Sequence, residues 1–180
     1  MWHAAVGTQD PLLPASPWIT RFCGLVPAGG TVLDLACGAG RHVRLFLARG
    51  HPVLAVDRDT TRLADLAGAP GLEILEADLE GAPWPLGGRR FAGVVVANYL
   101  HRPILPAIVA AVAPGGALLY ETFAAGNERF GRPSNPDFLL RRGELLEAVR
   151  GRLVVVAYED LEVEAPRRAV VQRIAAINAR

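Results

Sequence analysis

Three carboxylates stand one at a time at the ends of short apolar runs: Asp34 inside TVLDLACGAGRHV, Asp57 closing VLAVD, and Asp78 just after LEILEA. In the first run a tight turn containing Gly38 and Gly40 leads straight into a helical pattern that opens at Arg41. Glycine lets a backbone approach a ligand closely, and the amides that open a helix point into the same space. A carboxylate ending the second strand of a doubly wound sheet accepts hydrogen bonds from the hydroxyls of a ribose, the role expected of Asp57. Asp78 suits the exocyclic amine of an adenine, with Leu79 against the ring. Each acid alone has a plainer use as a cap or turn residue. Three of them after three successive strands, at the edge where such sheets bind ligands, point to a nucleoside. A dinucleotide turn would put a third glycine where Val43 stands, which counts against a pyrophosphate and so against a nicotinamide-dependent oxidoreductase, as does the acid Asp34 within the motif.

The acids fall into place only if the runs that carry them are strands of one sheet. Strand candidates are Thr31 to Ala36, Pro52 to Asp57, Leu72 to Ala77, Phe91 to Ala97 and Ala117 to Phe123. They are nearly continuous in apolar residues, as strands buried on both faces must be. Helical patterns alternate with them: a helix after Ser16 and Pro17 with Trp18 and Phe22 at i, i+4, one over Arg41 to Arg49 closed by Gly50, and one over Asp59 to Ala67 capped by Asp59. Such alternation predicts an α/β, doubly wound, Rossmann-like parallel sheet with helices on both faces. Leu153 to Val163 and Ala169 to Ile177 follow without a helix between them, so these two strands are antiparallel. One domain over residues 1–180 is expected, with an N-terminal extension over 1–15 and the core over 16–180.

Composition removes other classes. All 19 basic residues are arginine, which excludes a Walker-type phosphate loop and Schiff-base chemistry, both of which need a lysine amine. Net charge is +1 with the two signs interspersed, so neither nucleic acid nor membrane is an expected partner. The uncharged stretch from Pro103 to Tyr120 is broken by prolines and glycines and reads as helix, turn and strand. Cys23 and Cys37 make no disulfide framework, the four histidines offer no metal spacing, and the N-terminus lacks a secretory pattern, so a cytoplasmic chain without a metal is expected. His42 and His51 are expected to be solvated, and Cys37 to fill space in the glycine loop.

Over almost its whole length, from about Ser16 to Ile177, the sequence resembles the class I S-adenosylmethionine-dependent methyltransferases. DLACGAG is similar to that family's first motif, with Ala36 where its first glycine often stands, and Asp57 and Asp78 fall where its ribose and adenine acids do. The resemblance implies a seven-stranded sheet with an antiparallel last strand, and S-adenosyl-L-methionine as cofactor. That cofactor carries no phosphate; its ammonium group suits Asp34 and its carboxylate Arg41. FLLRRGELLEAV followed by VVVAYED is similar to the tellurite-resistance methyltransferases, a bacterial subgroup.

The implied function is methyl transfer to a small molecule, with a cofactor-binding scaffold that has lost transfer activity as the rival outside catalysis. The fourth strand ends in ANYLHRP, which differs from the Asn-Pro-Pro-Tyr signature of methyltransferases acting on planar amino groups. Asn98 belongs with the cofactor residues, and Tyr99 and His101 are the candidate catalytic side chains, His101 as a base or else a turn residue. Trp18 is a candidate for the acceptor site or for the core. The segment from Ala124 to Pro136 has no period, and Ala124 to Phe138 is read as a lid or else as a surface connection; as a lid, Asn127 and Arg129 would recognise the acceptor and Phe130 and Phe138 exclude water. The accepting atom and the oligomeric state stay open.

Overall fold

A computed structural model describes residues 13–179; residues 1–12 of the expected N-terminal extension lie outside the described residues. Seven strands are present: β1 (Val32–Leu35), β2 (Val53–Asp57), β3 (Leu72–Glu76), β4 (Phe91–Ala97), β5 (Val112–Phe123), β6 (Val154–Val163) and β7 (Ala169–Ile177). The α-helices are α1 (Pro17–Phe22), α2 (Arg41–Ala48), α3 (Leu105–Ala110) and α4 (Glu144–Val149). The strands form one sheet in the order β3-β2-β1-β4-β5-β7-β6. Pairing is parallel from β3 to β5, and β7 runs antiparallel to both neighbours. The order reverses between β1 and β4, and a ligand crevice opens at the carboxyl ends of strands at such a point.

Alternation along the strands divides the core. Val32, Val53, Ala55, Val95 and Leu119 meet Trp18, Ile19, Val43 and Phe46 of α1 and α2. Leu33, Leu54, Val94, Val96 and Leu118 meet Ile108 and Val109 of α3 and Leu145 and Val149 of α4. A strand buried on both faces has no polar side, which is why these runs read as unbroken apolar sequence.

The structure departs from the expected elements where tertiary context prevails. β3 lies at the sheet edge and is largely exposed, with Ile74 at 37% of its surface, so it is not a strand buried on both faces. Thr60–Leu66 is a 3₁₀ helix; Asp59 caps it by accepting from Thr61 N, and its β-branched start is a poor α-helix former. β5 begins at Val112, ahead of the expected Ala117, because Gly115 N donates to Asn178 O (2.7 Å) and Asn178 N to Gly116 O (2.9 Å), keeping the glycines in the sheet.

Both helix-adjacent histidines expected to be solvated are buried. His51 places Nδ1 2.9 Å from Gly30 O. His42 Nε2 accepts from Ser16 N at 3.1 Å, while Ser16 Oγ caps α1 by accepting from Trp18 N and Ile19 N. One imidazole therefore joins the start of α1 to the first turn of α2, and burial pushes its pKa down to about 3 from 6.5. The unfolded chain takes up a proton as pH falls through 6.5 and the folded chain does not, so this group's stabilisation is present above 6.5 and is lost below it. Urea unfolding of wild type and His42→Gln at pH 7 and pH 5 should show the stability difference between them shrinking by about 2 kcal/mol at the lower pH. A pH-independent difference would contradict this assignment.

Candidate functional site

The turn between β1 and α2 has three left-handed residues, Ala36 (φ 54°), Gly38 (φ 55°) and Gly40 (φ 74°). Alanine is a strained choice at the first of them. Cys37 N donates to Val56 O (3.1 Å) and Gly38 N to Asp57 Oδ2 (2.8 Å), so the turn is pinned to the end of β2. The other oxygen, Asp57 Oδ1, accepts from Asp59 N at 3.1 Å. Gly40 is required by packing as well as by φ, because a Cβ there would lie 2.6 Å from Leu63 Cδ2. A Cβ added at Gly38 would come no closer than 3.9 Å to any neighbour, the Nη1 of Arg62, so only its φ demands glycine.

Asp34 lies beneath this turn, 1% exposed. Burial pushes its pKa up to about 7, against the opposing pull of the Val43 backbone N–H and the charge of Arg41. Its Oδ2 has no hydrogen-bond partner among the described residues. A buried carboxylate oxygen without a donor is expensive unless a cation or donor satisfies it.

The crevice above the turn has a volume of about 180 Å³ and is built from five strand ends. Ala36 follows β1; Asp57 and Arg58 close β2; Ala77, Asp78, Leu79 and Glu80 follow β3; Asn98, Tyr99 and Leu100 follow β4. Thr122 and Phe123 come from β5, and Pro133 and Phe138 from the segment after it. Asn98 takes a left-handed conformation (φ 55°) and its N–H donates to Glu121 O, which turns the chain sharply past the strand end. The N–H of Glu80 donates to Asp78 Oδ1 (2.9 Å); this and the Gly81 amide hold the exposed Asp78 carboxyl below its usual range. Tyr99 lines the crevice with its hydroxyl oxygen buried and unpartnered among the described residues. Burial, then the charges of Glu80, Asp78 and Asp57, raises its pKa and keeps the phenol protonated.

Of the candidates from sequence, Ala36, Asp57, Asp78, Leu79, Asn98 and Tyr99 meet in this crevice. Asp34, Gly38, Gly40 and Arg41 form the turn and its support, with Arg41 Nη1 3.4 Å from Pro14 O. His101 precedes the 3₁₀ turn Arg102–Ile104 and is not part of the lining. Trp18 is corrected to a core residue: it is 3% exposed among apolar side chains, and Nε1 donates to Ile174 O at 3.3 Å. Asn127 is buried and spends its amide on Pro133 O (2.9 Å) and Val170 N (3.2 Å), so it shapes the loop and does not reach an acceptor. Arg129 and Phe130 are not part of the lining either; Arg129 pairs with Glu162 (3.5 Å), and both Arg129 and Arg168 stack on the Phe130 ring. Phe138 does line the crevice, as expected.

Sequence reasoning passed over Arg58, Glu80, Thr122, Phe123, Pro133 and the grip on Phe138. Arg102 Nη1 donates to Asp137 O (2.8 Å) and Nη2 to Leu139 O (2.7 Å), straddling Phe138, while Nε and Nη2 hold both oxygens of Glu144 at 2.7 and 2.9 Å. Thr122, a polar residue at the end of an apolar strand, was the one visible signal.

No protein-family model matches the chain, and no curated protein sequence matches it. Solved structures do. TehB from Haemophilus influenzae superposes with a TM-score of 0.70 at 18% identity, over 88% of this chain and 61% of that one, so this chain spans less than two thirds of TehB. The Burkholderia thailandensis 1,6-didemethyltoxoflavin-N1-methyltransferase gives 0.69 at 21% identity, over 91% of this chain and 77% of the other. A TehB-like S-adenosylmethionine-dependent methyltransferase from Corynebacterium glutamicum gives 0.63 at 20% identity, over 88% and 86%. The fold is thus that of the S-adenosylmethionine-dependent methyltransferases.

The two glycines of the turn should separate in stability measurements. Gly38→Ala costs about 1–2 kcal/mol for a left-handed alanine. Gly40→Ala adds the collision with Leu63 and costs about 2–5 kcal/mol, read from urea unfolding midpoints. Equal losses would show that the Leu63 contact is not what fixes Gly40.

Proposed function

We propose that this chain binds S-adenosyl-L-methionine and transfers its methyl group to a small-molecule acceptor. The observation that carries the proposal is the convergence of Asp34, Asp57 and Asp78 at the carboxyl ends of β1, β2 and β3 around a left-handed glycine turn. A nucleoside with a cationic amino-acid tail fits this arrangement. Asp57 would accept from the ribose hydroxyls, Asp78 from the adenine amine, and Leu79 would lie against the ring. Asp34, with one buried oxygen lacking a donor, suits an ammonium group. A pyrophosphate fits poorly, since Gly38 N already donates to Asp57 and the crevice carries three carboxylates, Asp57, Asp78 and Glu80, against Arg58.

When bound, the cofactor supplies an electrophilic methyl on a sulfonium sulfur. The residues of this chain supply position and shelter: Asn98 and Tyr99 line the crevice where β4 ends, and Phe138 lines it from the segment after β5. Holding two reactants in line removes much of the barrier to such a displacement. The B. thailandensis enzyme acts on a small molecule, 1,6-didemethyltoxoflavin, and a crevice of about 180 Å³ favours a small acceptor here as well. Cys23 and Cys37 are buried and unpaired, in keeping with the reducing cytoplasm proposed as the chain's compartment. Among the described residues no helix is long and apolar enough to cross a membrane.

Calorimetric titration tests the proposal. S-Adenosylhomocysteine and S-adenosylmethionine should bind, and NAD should not. Asp57→Ala removes two charge-assisted hydrogen bonds of roughly 1.5–3 kcal/mol each and should weaken binding about a hundredfold or more. Binding of NAD in preference to S-adenosylhomocysteine, or an Asp57→Ala protein that binds as wild type does, would refute it.

A further inference from the structure

The crevice has two chemically different ends. Its carboxylates and Arg58 stand where β2 and β3 finish, while the opposite end offers the apolar faces of Phe123 and Phe138 and the hydroxyl of Thr122. We propose that this second end seats an uncharged thiol with a small apolar body, and that it discriminates against oxyanions. The assignment rests on the methyltransferase function proposed above and names its substrate class.

Charge decides against an anion. Arg102, which holds the segment carrying Phe138, is consumed: it is bidentate with Glu144 and grips the carbonyls of Asp137 and Leu139. Of the arginines near the segment after β5, Arg129 and Arg168 pair with Glu162, while Arg167 lies over the Phe123 ring at 5.1 Å and donates to Arg132 O at 3.0 Å. An oxyanion entering the crevice would meet Asp57, Asp78 and Glu80 and only one lining cation, Arg58. Recognition of a compact anion normally uses just such arginine forks, and here they serve the fold.

The lining also bears on the attacking atom. No histidine is among the lining residues, the carboxylates belong to the nucleoside end, and the Tyr99 phenol is kept protonated by burial beside them. An alcohol acceptor would need a base to take its proton, whereas a thiol, with a pKa of roughly 8.5 in water, gives up its proton far more readily than an alcohol does, even where burial and neighbouring carboxylates raise that value. The thiol binds neutral and releases its proton to solvent. A bond then forms between its sulfur and the methyl carbon, the bond from that carbon to the sulfonium sulfur breaks, and the electron pair left on the departing sulfur neutralises it. The products are a methyl thioether, S-adenosylhomocysteine and a proton.

Phe138 is the residue on which the apolar body rests, and Arg102 fixes it by bonding the carbonyls on either side. The test uses the whole protein with S-adenosylmethionine and three probes: benzyl mercaptan, selenite and tellurite. Titration with S-adenosylhomocysteine comes first, and failure of wild type to bind it would defeat the methyltransferase function itself. Given binding, benzyl mercaptan should yield benzyl methyl sulfide with a kcat/KM at least tenfold above that for either oxyanion. Phe138→Ala should raise KM for benzyl mercaptan tenfold or more with S-adenosylhomocysteine affinity within twofold of wild type, and Phe138→Leu should restore most of it. Methylation of selenite or tellurite as efficient as that of the thiol would overturn the proposal. So would a protein that binds S-adenosylhomocysteine and methylates none of the probes, or a Phe138→Ala protein that folds and keeps the wild-type KM.

Discussion

The bond from Gly38 N to Asp57 Oδ2 joins two strand ends that have to stay in register for anything else at this edge to work. It fixes a turn with three left-handed residues, one of them an alanine, and that turn aims the opening of α2 across the crevice. Such a conformation persists only where its surroundings over-determine it. Leu63 fills the space against Gly40, the Val43 amide reaches back to Asp34, and His42 ties the first turn of α2 to the start of α1. Loss of the Asp57 carboxylate therefore removes a crevice carboxylate and a structural pin together.

The sheet was legible because strands buried on both faces leave nothing polar to confuse the pattern, and because the short Glu164 to Arg168 link allowed only an antiparallel pair. The crevice residues contributed by β1 to β4 were equally legible: most lie beside their own strand ends, so sequence position and spatial position coincide. The segment after β5 was less so. Phe138 was expected at the crevice, but the hold of Arg102 on its flanking carbonyls was not, because no local pattern encodes contacts across 35 and 37 positions of chain. Trp18 and Asn127 misled for a related reason. An aromatic at helical spacing and an amide in a loop have the chemistry of a binding residue, and their burial is decided by partners such as Ile174 and Val170 far along the chain.

Arginine without lysine shapes the molecule beyond excluding phosphate loops. A guanidinium can satisfy several acceptors in one plane, and this chain uses that capacity internally. Arg102 serves four acceptor atoms, Arg173 pairs with Glu159 and stacks on Trp18, and Arg44 takes both oxygens of Asp65. These side chains act as struts between elements, which leaves the crevice with an excess of negative charge.

The antiparallel insertion of β7 between β5 and β6 has a consequence for biosynthesis. β5 pairs on one edge with β4, already made, and on the other with residues 171–177 of β7, the seventh strand of the sheet in chain order. Until those residues have been made and have cleared the ribosome, Leu118, Leu119 and Tyr120 sit on an open strand edge, and such edges recruit other chains. Closure waits for β7 to leave the exit tunnel and cover β5 and β6 in one step. The last of the seven strands to be translated is thus the one that makes the sheet safe from its neighbours.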